Sequence, residues 1–191
     1  MVGPVGRPVV LVISGPPGSG KSATARLVAQ RFDRAVCLDS DWFWTTIVTG
    51  FVPPWRPEAD PQNRAMLRAV AESSAALATS GYAVVVDGVV GPSFLGIFTE
   101  SLMRHGVELH YVVLRPDLAT TLARVTARAG CEQRGGHLAA AFADEDPAAD
   151  MWVQFSDLDQ LERNVIDNSR LDASATATLV WSRYLDGTVR S

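Results

Sequence analysis

Apolar residues fall in short unbroken blocks, and polar stretches with helical rhythm separate them. Val9-Val10-Leu11-Val12-Ile13 is one such block; Ala35–Asp39, Ala83–Asp87 and Leu109–Leu114 are others. Continuous apolar runs of this length mark strands covered on both faces, as in parallel sheets. Asn164–Asp167 predicts a weaker fifth strand. Between the runs, residues 23–32 carry apolar positions Leu27, Val28 and Phe32 at helical spacing. From Gln62 to Ser80 the positions Ala65, Met66, Ala69, Val70, Ser73, Ala76 and Leu77 follow the same period, with Gly81 as the stop. Further helices are predicted from residue 93 or 94 to His105 and over 118–129, the latter capped by Asp117. Two more are predicted over 155–163 and from about Ala173 to Tyr184.

Strands alternating with helices predict an α/β fold, a parallel sheet with helices on both faces. No composition break divides the 191 residues, so one domain with a sizeable core is expected. Residues 50–61 hold Pro53, Pro54, Pro57 and Pro61 and cannot form one continuous helix. Residues 131–147 are polar, contain Gly135-Gly136 and a run of acids, and are expected to be mobile.

The first strand leads straight into Gly15-Pro16-Pro17-Gly18-Ser19-Gly20-Lys21-Ser22, followed by Ala23 and a helix. This is G-x-x-x-x-G-K-S in strand–loop–helix context, the pattern of a phosphate-binding loop. Glycines let the backbone wrap phosphate oxygens, and the amides at the helix start carry partial positive charge. Lys21 is expected to reach the β- and γ-phosphates, to be exposed in the empty loop, and Ser22 to hold Mg²⁺. Lys21 is also the only lysine among 17 Lys and Arg residues. An Arg-rich codon bias explains the missing lysines but not the position of the one retained.

Open parallel sheets bind ligands outside the carboxyl ends of their strands. Asp39 and Asp41 follow strand two, Asp87 ends strand three and Arg115 follows strand four. Read as an extended segment, Asp39 and Asp41 face one side. Phosphoryl transfer needs an aligned acceptor hydroxyl and a carboxylate to take its proton. Asp41 could instead cap a helix, and Asp87-Gly88 could be only a turn.

Net charge is −4 with no basic stripe, which disfavours a long nucleic-acid partner. Cys37 and Cys131 are too few for a disulfide framework, and Cys37 is expected to be a buried thiol. No apolar stretch is long enough to span a membrane. ATP, Mg²⁺ and reduced thiols together point to the cytoplasm. His105, His110 and His137 lack metal-ligand spacing.

In Gly18-Ser19-Gly20-Lys21-Ser22-Ala23 and Leu38-Asp39-Ser40-Asp41 the chain resembles small-molecule P-loop kinases: shikimate kinase, gluconate kinase and chloramphenicol phosphotransferase. The resemblance implies a P-loop three-layer sandwich with a five-stranded parallel sheet, order 2-3-1-4-5. It implies an acceptor segment near 41–62, a lid near 124–147, and ATP- and Mg²⁺-dependent transfer to a hydroxyl of a small molecule. Asp87 takes the Walker-B-like position, with Ser22 and Asp39 near the metal. The D-x-D pattern makes Asp41 the base, whereas the chloramphenicol phosphotransferase pattern makes Asp39 the base. Lid arginines are sought in Arg124, Arg128 and Arg134, with Arg128 and Arg134 favoured for neutralising the transferring phosphoryl group. Asn168 and Ser169 sit where related kinases place the adenine loop. Trp42, Trp44 and Trp55 belong to the densest aromatic cluster; core packing is one reading, an apolar acceptor pocket the other. Alternatives to the small-molecule kinase are a nucleoside, nucleotide or polynucleotide-end kinase, and a non-catalytic ATP-binding or ATPase module. No shikimate-type arginine set surrounds the acceptor segment, so the substrate does not carry over.

Overall fold

In the computed structural model, which describes residues 8–128, 141 and 147–190, five parallel strands form one sheet in the order β2-β3-β1-β4-β5. The strands are β1 (Val9–Ser14), β2 (Ala35–Asp39), β3 (Ala83–Asp87), β4 (Glu108–Leu114) and β5 (Val165–Ile166). The helices are α1 (Lys21–Ala29), α2 (Asp41–Thr45), α3 (Asp60–Thr79), α4 (Pro92–Arg104), α5 (Leu118–Arg128), α6 (Ala148–Val153) and α7 (Ala173–Leu185). The expected layered α/β architecture and strand order are both present.

Alternation along β1 divides the core. Val10 and Val12 face one layer with Leu67, Val70, Ala71, Phe98 and Leu102 of α3 and α4. Leu11 and Ile13 face the other with Ala25, Val28, Ala177 and Val180 of α1 and α7. Residues two apart share a face of a strand, so each side of β1 feeds a different layer.

Several local expectations change. Helix α3 forms, beginning two residues early because Pro61 fits the first turn. Its buried face is Asn63, Leu67, Val70, Ala71, Ser74, Ala75 and Ala78; of the expected set beginning at Ala65 only Val70 is buried, with Met66 and Leu77 packed partly against the core. A helix rich in Ala and Ser has little hydrophobic contrast, so packing sets the rotation. The expected 155–163 helix is replaced by a 3₁₀ segment, Asp159–Asn164, and α6 ends before it at Val153. Asp159 has φ 50, a left-handed conformation that breaks an α-helix, while Phe155 and Leu158 go into the core. Cys37 is exposed, not buried, because β2 is an edge strand. Its thiol is nonetheless pushed up to about 11, first by desolvation and then by Asp87, with Arg26 opposing and Asp39 adding. That makes it a poor nucleophile at neutral pH.

Strand β5 pairs only with Val113 and Leu114 of β4. Farther down, the β4 edge is closed by the chain end: Tyr111 N–H donates to the Val189 carbonyl at 2.8 Å, and His110 bridges Arg190. No helix among the described residues is long and apolar enough to cross a membrane. The expected lid lies mostly outside the described residues, as do Arg134, Cys131, His137 and the Arg128 side chain.

Candidate active site

The phosphate loop leaves β1 at the carboxyl edge of the sheet and enters α1 at Lys21. Gly15, Gly18 and Gly20 have φ of 138, 81 and 88°, which side chains rarely adopt. Two are also fixed by close approach. A Cβ on Gly15 would lie 2.1 Å from the Leu114 carbonyl oxygen, and one on Gly18 would lie 2.6 Å from that of Thr121 in α5. The loop is thus wedged between β4 and α5, with residues 15–19, Pro16 and Pro17 included, buried.

Lys21 folds back over the loop. Its Nζ donates to the Gly15 and Pro16 carbonyls, both at 2.9 Å. It is partly buried, not exposed as expected, because those carbonyls attract the ammonium. Ser22 and Ala23 follow in the first turn, Ser22 partly buried and Ala23 exposed. Ser19 Oγ and Thr24 Oγ1 are buried without a hydrogen-bond partner.

The neighbouring strands bring carboxylates to the same edge. In the register Ile13 pairs with Asp87, and Asp87 with Asp39. All three are odd-numbered positions on the face covered by α1, where Leu11, Ile13 and Val85 pack. Asp87 and Asp39 therefore stand in adjacent strands on the side of the sheet where Lys21 and Ser22 begin α1. Asp87 is buried and Asp39 exposed.

The chain does not stay extended after Asp39. Ser40 adopts helical angles (φ −67, ψ −30), and Asp41 is the first residue of α2. The same-side argument for an extended Asp39-Ser40-Asp41 therefore fails. A turn joins the two acids instead, with the Asp41 N–H donating to Asp39 Oδ1 at 3.0 Å. Asp41 is not the N-cap; Asp39 supplies the terminal carboxylate. Ser40 is buried, and its N–H donates to the Asp87 carbonyl at 2.9 Å, tying the three-residue pattern to β3.

The aromatic residues separate. Trp44 is in the core, with its indole N–H donating to Asn63 Oδ1 at 3.1 Å. Trp55 is partly buried against the same core. Trp42 is 62% exposed, edge-on to Phe43 with ring centroids 5.5 Å apart. Only Trp42 of the three presents most of its ring to solvent beside Asp41.

Arg115 is turned to structure. It makes a two-pronged pair with Glu162 at 2.7 and 2.9 Å and donates to the Phe155 carbonyl at 2.8 Å. Arg115 holds the Glu162 carboxyl below its usual range. Arg124 donates to the Asn168 and Leu171 carbonyls at 3.1 and 3.4 Å, clasping the turn after β5. Asn168 is buried, and its Nδ2 donates to the Ser19 carbonyl at 2.9 Å.

Two supports lie outside the expected site residues. Ser14 Oγ donates to the Val90 carbonyl at 2.8 Å and accepts the Val90 N–H at 2.9 Å, and Tyr111 OH donates to the same carbonyl at 2.6 Å. A serine ending an apolar strand just before the loop was the available signal. Gly88 is the other: a Cβ there would lie 2.0 Å from Ser40 Oγ.

The donor set suits a nucleotide with its cation. Loop amides and the start of α1 offer an anion cradle. Ser22, Asp39 and Asp87 are hard oxygen donors of the kind Mg²⁺ takes. Among the described residues no group of three or more His, Cys, Asp or Glu is placed to hold a metal. Partial protein ligation is normal for Mg²⁺ in nucleotide sites, where phosphates and water complete the shell.

No curated protein matches the sequence. Solved structures resemble it over nearly its whole length. The APS kinase of Mycobacterium tuberculosis, solved with AMPPNP and APS, is 18% identical, with a TM-score of 0.66 over 94% of this chain and 98% of that one. A sugar kinase from Janibacter sp. HTCC2649 is 20% identical, with a TM-score of 0.64 over 96% and 99%. A gluconokinase from Sinorhizobium meliloti 1021 is 19% identical, with a TM-score of 0.60 over 94% and 95%. The AAA domain family (AAA_33) matches residues 10–143, which hold the phosphate loop, Asp39, Asp41 and Asp87. The chain belongs to that family, and its fold is that of the small-molecule P-loop kinases.

Proposed function

We propose that this protein is an ATP- and Mg²⁺-dependent phosphotransferase acting on a hydroxyl of a small molecule, such as a sugar, polyol or antibiotic-like compound. The observation that carries the reading is the shared edge. The strand that leads into the Lys21-closed phosphate loop pairs Ile13 with Asp87, Asp87 pairs with Asp39, and the Asp41 N–H bonds to Asp39 in the turn beyond. A pure nucleotide switch has no need of a carboxylate at Asp41. The kinase names of the structural neighbours support the same class.

In this reading the loop amides and Lys21 bind the phosphates, Lys21 moving from loop carbonyls to phosphate oxygens. Ser22, Asp39 and Asp87 hold Mg²⁺ directly or through water; the cation neutralises phosphate charge. Asp41 orients the acceptor hydroxyl and takes its proton. Trp42 offers the acceptor an apolar ring face.

The test is nucleotide turnover with Mg²⁺ and a panel of sugars, polyols, aminoglycosides, phenicols and nucleosides. Turnover is expected to need both Mg²⁺ and an acceptor, and to fall at least about 10²-fold in Lys21→Ala. That variant also loses two charged hydrogen bonds in a partly exposed site, so about 1–2 kcal/mol of stability goes with it. Acceptor-independent hydrolysis favours the ATPase module, and a response to nucleosides alone favours the nucleoside kinase. Unchanged turnover in Lys21→Ala refutes the phosphate-loop assignment.

A further inference from the structure

We infer that Asn168 is a positioning residue for the phosphate loop, acting through the Ser19–Gly20 peptide rather than by touching the nucleotide base. The inference rests on the phosphate-binding reading above. Asn168 follows β5, and 149 residues separate it from Ser19 along the chain, yet its Nδ2 donates to the Ser19 carbonyl at 2.9 Å. A carbonyl can only accept, so the amide nitrogen must be the atom facing it. A peptide unit is planar and its N–H points opposite its C=O. Holding the Ser19 carbonyl outward therefore turns the Gly20 N–H inward, into the hollow that binds phosphate. Gly20 is the right residue for this. It sits at φ 88, and a Cβ on it would be only 3.7 Å from Asn168 Nδ2, so the amide lies against the same peptide.

Four hydrogen bonds brace the turn that carries Asn168. Arg124 donates from α5 to the Asn168 and Leu171 carbonyls. The Asp117 N–H donates to Ser169 Oγ at 2.8 Å, and the Ser169 N–H to Asp167 Oδ1 at 2.9 Å. Asn168 Oδ1 is buried without a partner. A buried acceptor left unsatisfied costs stability, so packing alone does not explain an amide at this position; its donor to Ser19 does. The Arg124 guanidinium thus reaches the loop through Asn168.

The test separates phosphate from base. Binding of inorganic tripolyphosphate with Mg²⁺ and binding of adenosine are measured by calorimetry on the full chain, the Asn168→Asp variant and the Asn168→Ala variant, with thermal unfolding alongside. Asn168→Asp sets a carboxylate against the Ser19 carbonyl; Asn168→Ala removes the donor without adding charge. The expected result is tripolyphosphate affinity lowered at least about tenfold in both variants, the scale of one hydrogen bond to a charged group. Adenosine affinity is unchanged. Loss of adenosine affinity with tripolyphosphate binding intact makes Asn168 a base contact and overturns the inference. A lower Tm with both affinities intact makes it a packing residue and overturns it equally. If Asn168→Asp does not fold, Asn168→Ala decides. A parent protein that does not bind tripolyphosphate refutes the phosphate-loop reading, and this inference with it.

Discussion

Gly88→Ala is the substitution whose effect follows most directly from the geometry. Its new Cβ would lie 2.0 Å from Ser40 Oγ and 2.8 Å from Ser40 Cβ. Ser40 is 1% exposed, so it has no solvent to move into. Heavy atoms this close must separate to about 3 Å or more, so Oγ must give way by about 1 Å. Rotating the hydroxyl aside still leaves the Cβ contact too short. Overpacking of this kind costs about 1–3 kcal/mol. For a chain of this length that is a fall of roughly 2–12 °C in Tm. The displaced residue lies between Asp39 and Asp41, and a misplacement of about 1 Å in a reacting group can cost about 10²-fold in rate. Thermal unfolding of Gly88→Ala, Ser40→Ala, Ser40→Gly and the two double variants measures the contact without any substrate. Ser40→Ala is expected to relieve most of the Gly88→Ala cost, and Ser40→Gly nearly all, giving a coupling energy of about 1–2 kcal/mol. Additive double variants, or a Gly88→Ala protein that melts with the parent, refute the reasoning.

Two further outcomes are expected. Once an acceptor is known, Asp41→Asn is expected to lower kcat by about 10²–10⁴-fold with near-normal ATP and Mg²⁺ affinity, and Asp39→Asn mainly to raise the Mg²⁺ requirement; the opposite pattern in steady-state kinetics gives the base role to Asp39. His110 is buried beside Glu108 (2.8 Å), Arg190 and the Tyr184 ring, and desolvation, opposed by Glu108, lowers its pKa from the ordinary 6.5. The unfolded chain then binds the proton more readily, so this contribution is complete above pH 6.5 and is lost as pH falls through the folded value; Tm should decline below pH 6.5 less steeply in His110→Gln than in the parent.

Much of this protein is legible along the chain. Four apolar runs predict four of the five strands within a residue, because a strand covered on both faces needs side chains of one kind throughout. The phosphate loop is equally legible: its glycines, lysine and serine are adjacent in one short stretch of sequence. The alternation of strand and helix dictates a parallel sheet. The rest depends on distance in space. Which residues of α3 are buried was decided by packing, since Ala and Ser at neighbouring positions offer no contrast to read. Read as an extended pair, Asp39 and Asp41 face one side; the turn at Ser40, pinned by the Asp87 carbonyl and the absence of a side chain at Gly88, instead puts one at a strand end and the other in a helix. Trp44 and Trp42 are two residues apart, yet Trp44 is in the core bonded to Asn63 on another helix while Trp42 is mostly exposed. Asn168 meets Ser19 only because the strand order sets β5 beyond β4 on the side where the loop turns. Local pattern determines what each segment can be; contacts between segments distant in sequence determine which way its side chains point, and a catalytic arrangement is made of those directions.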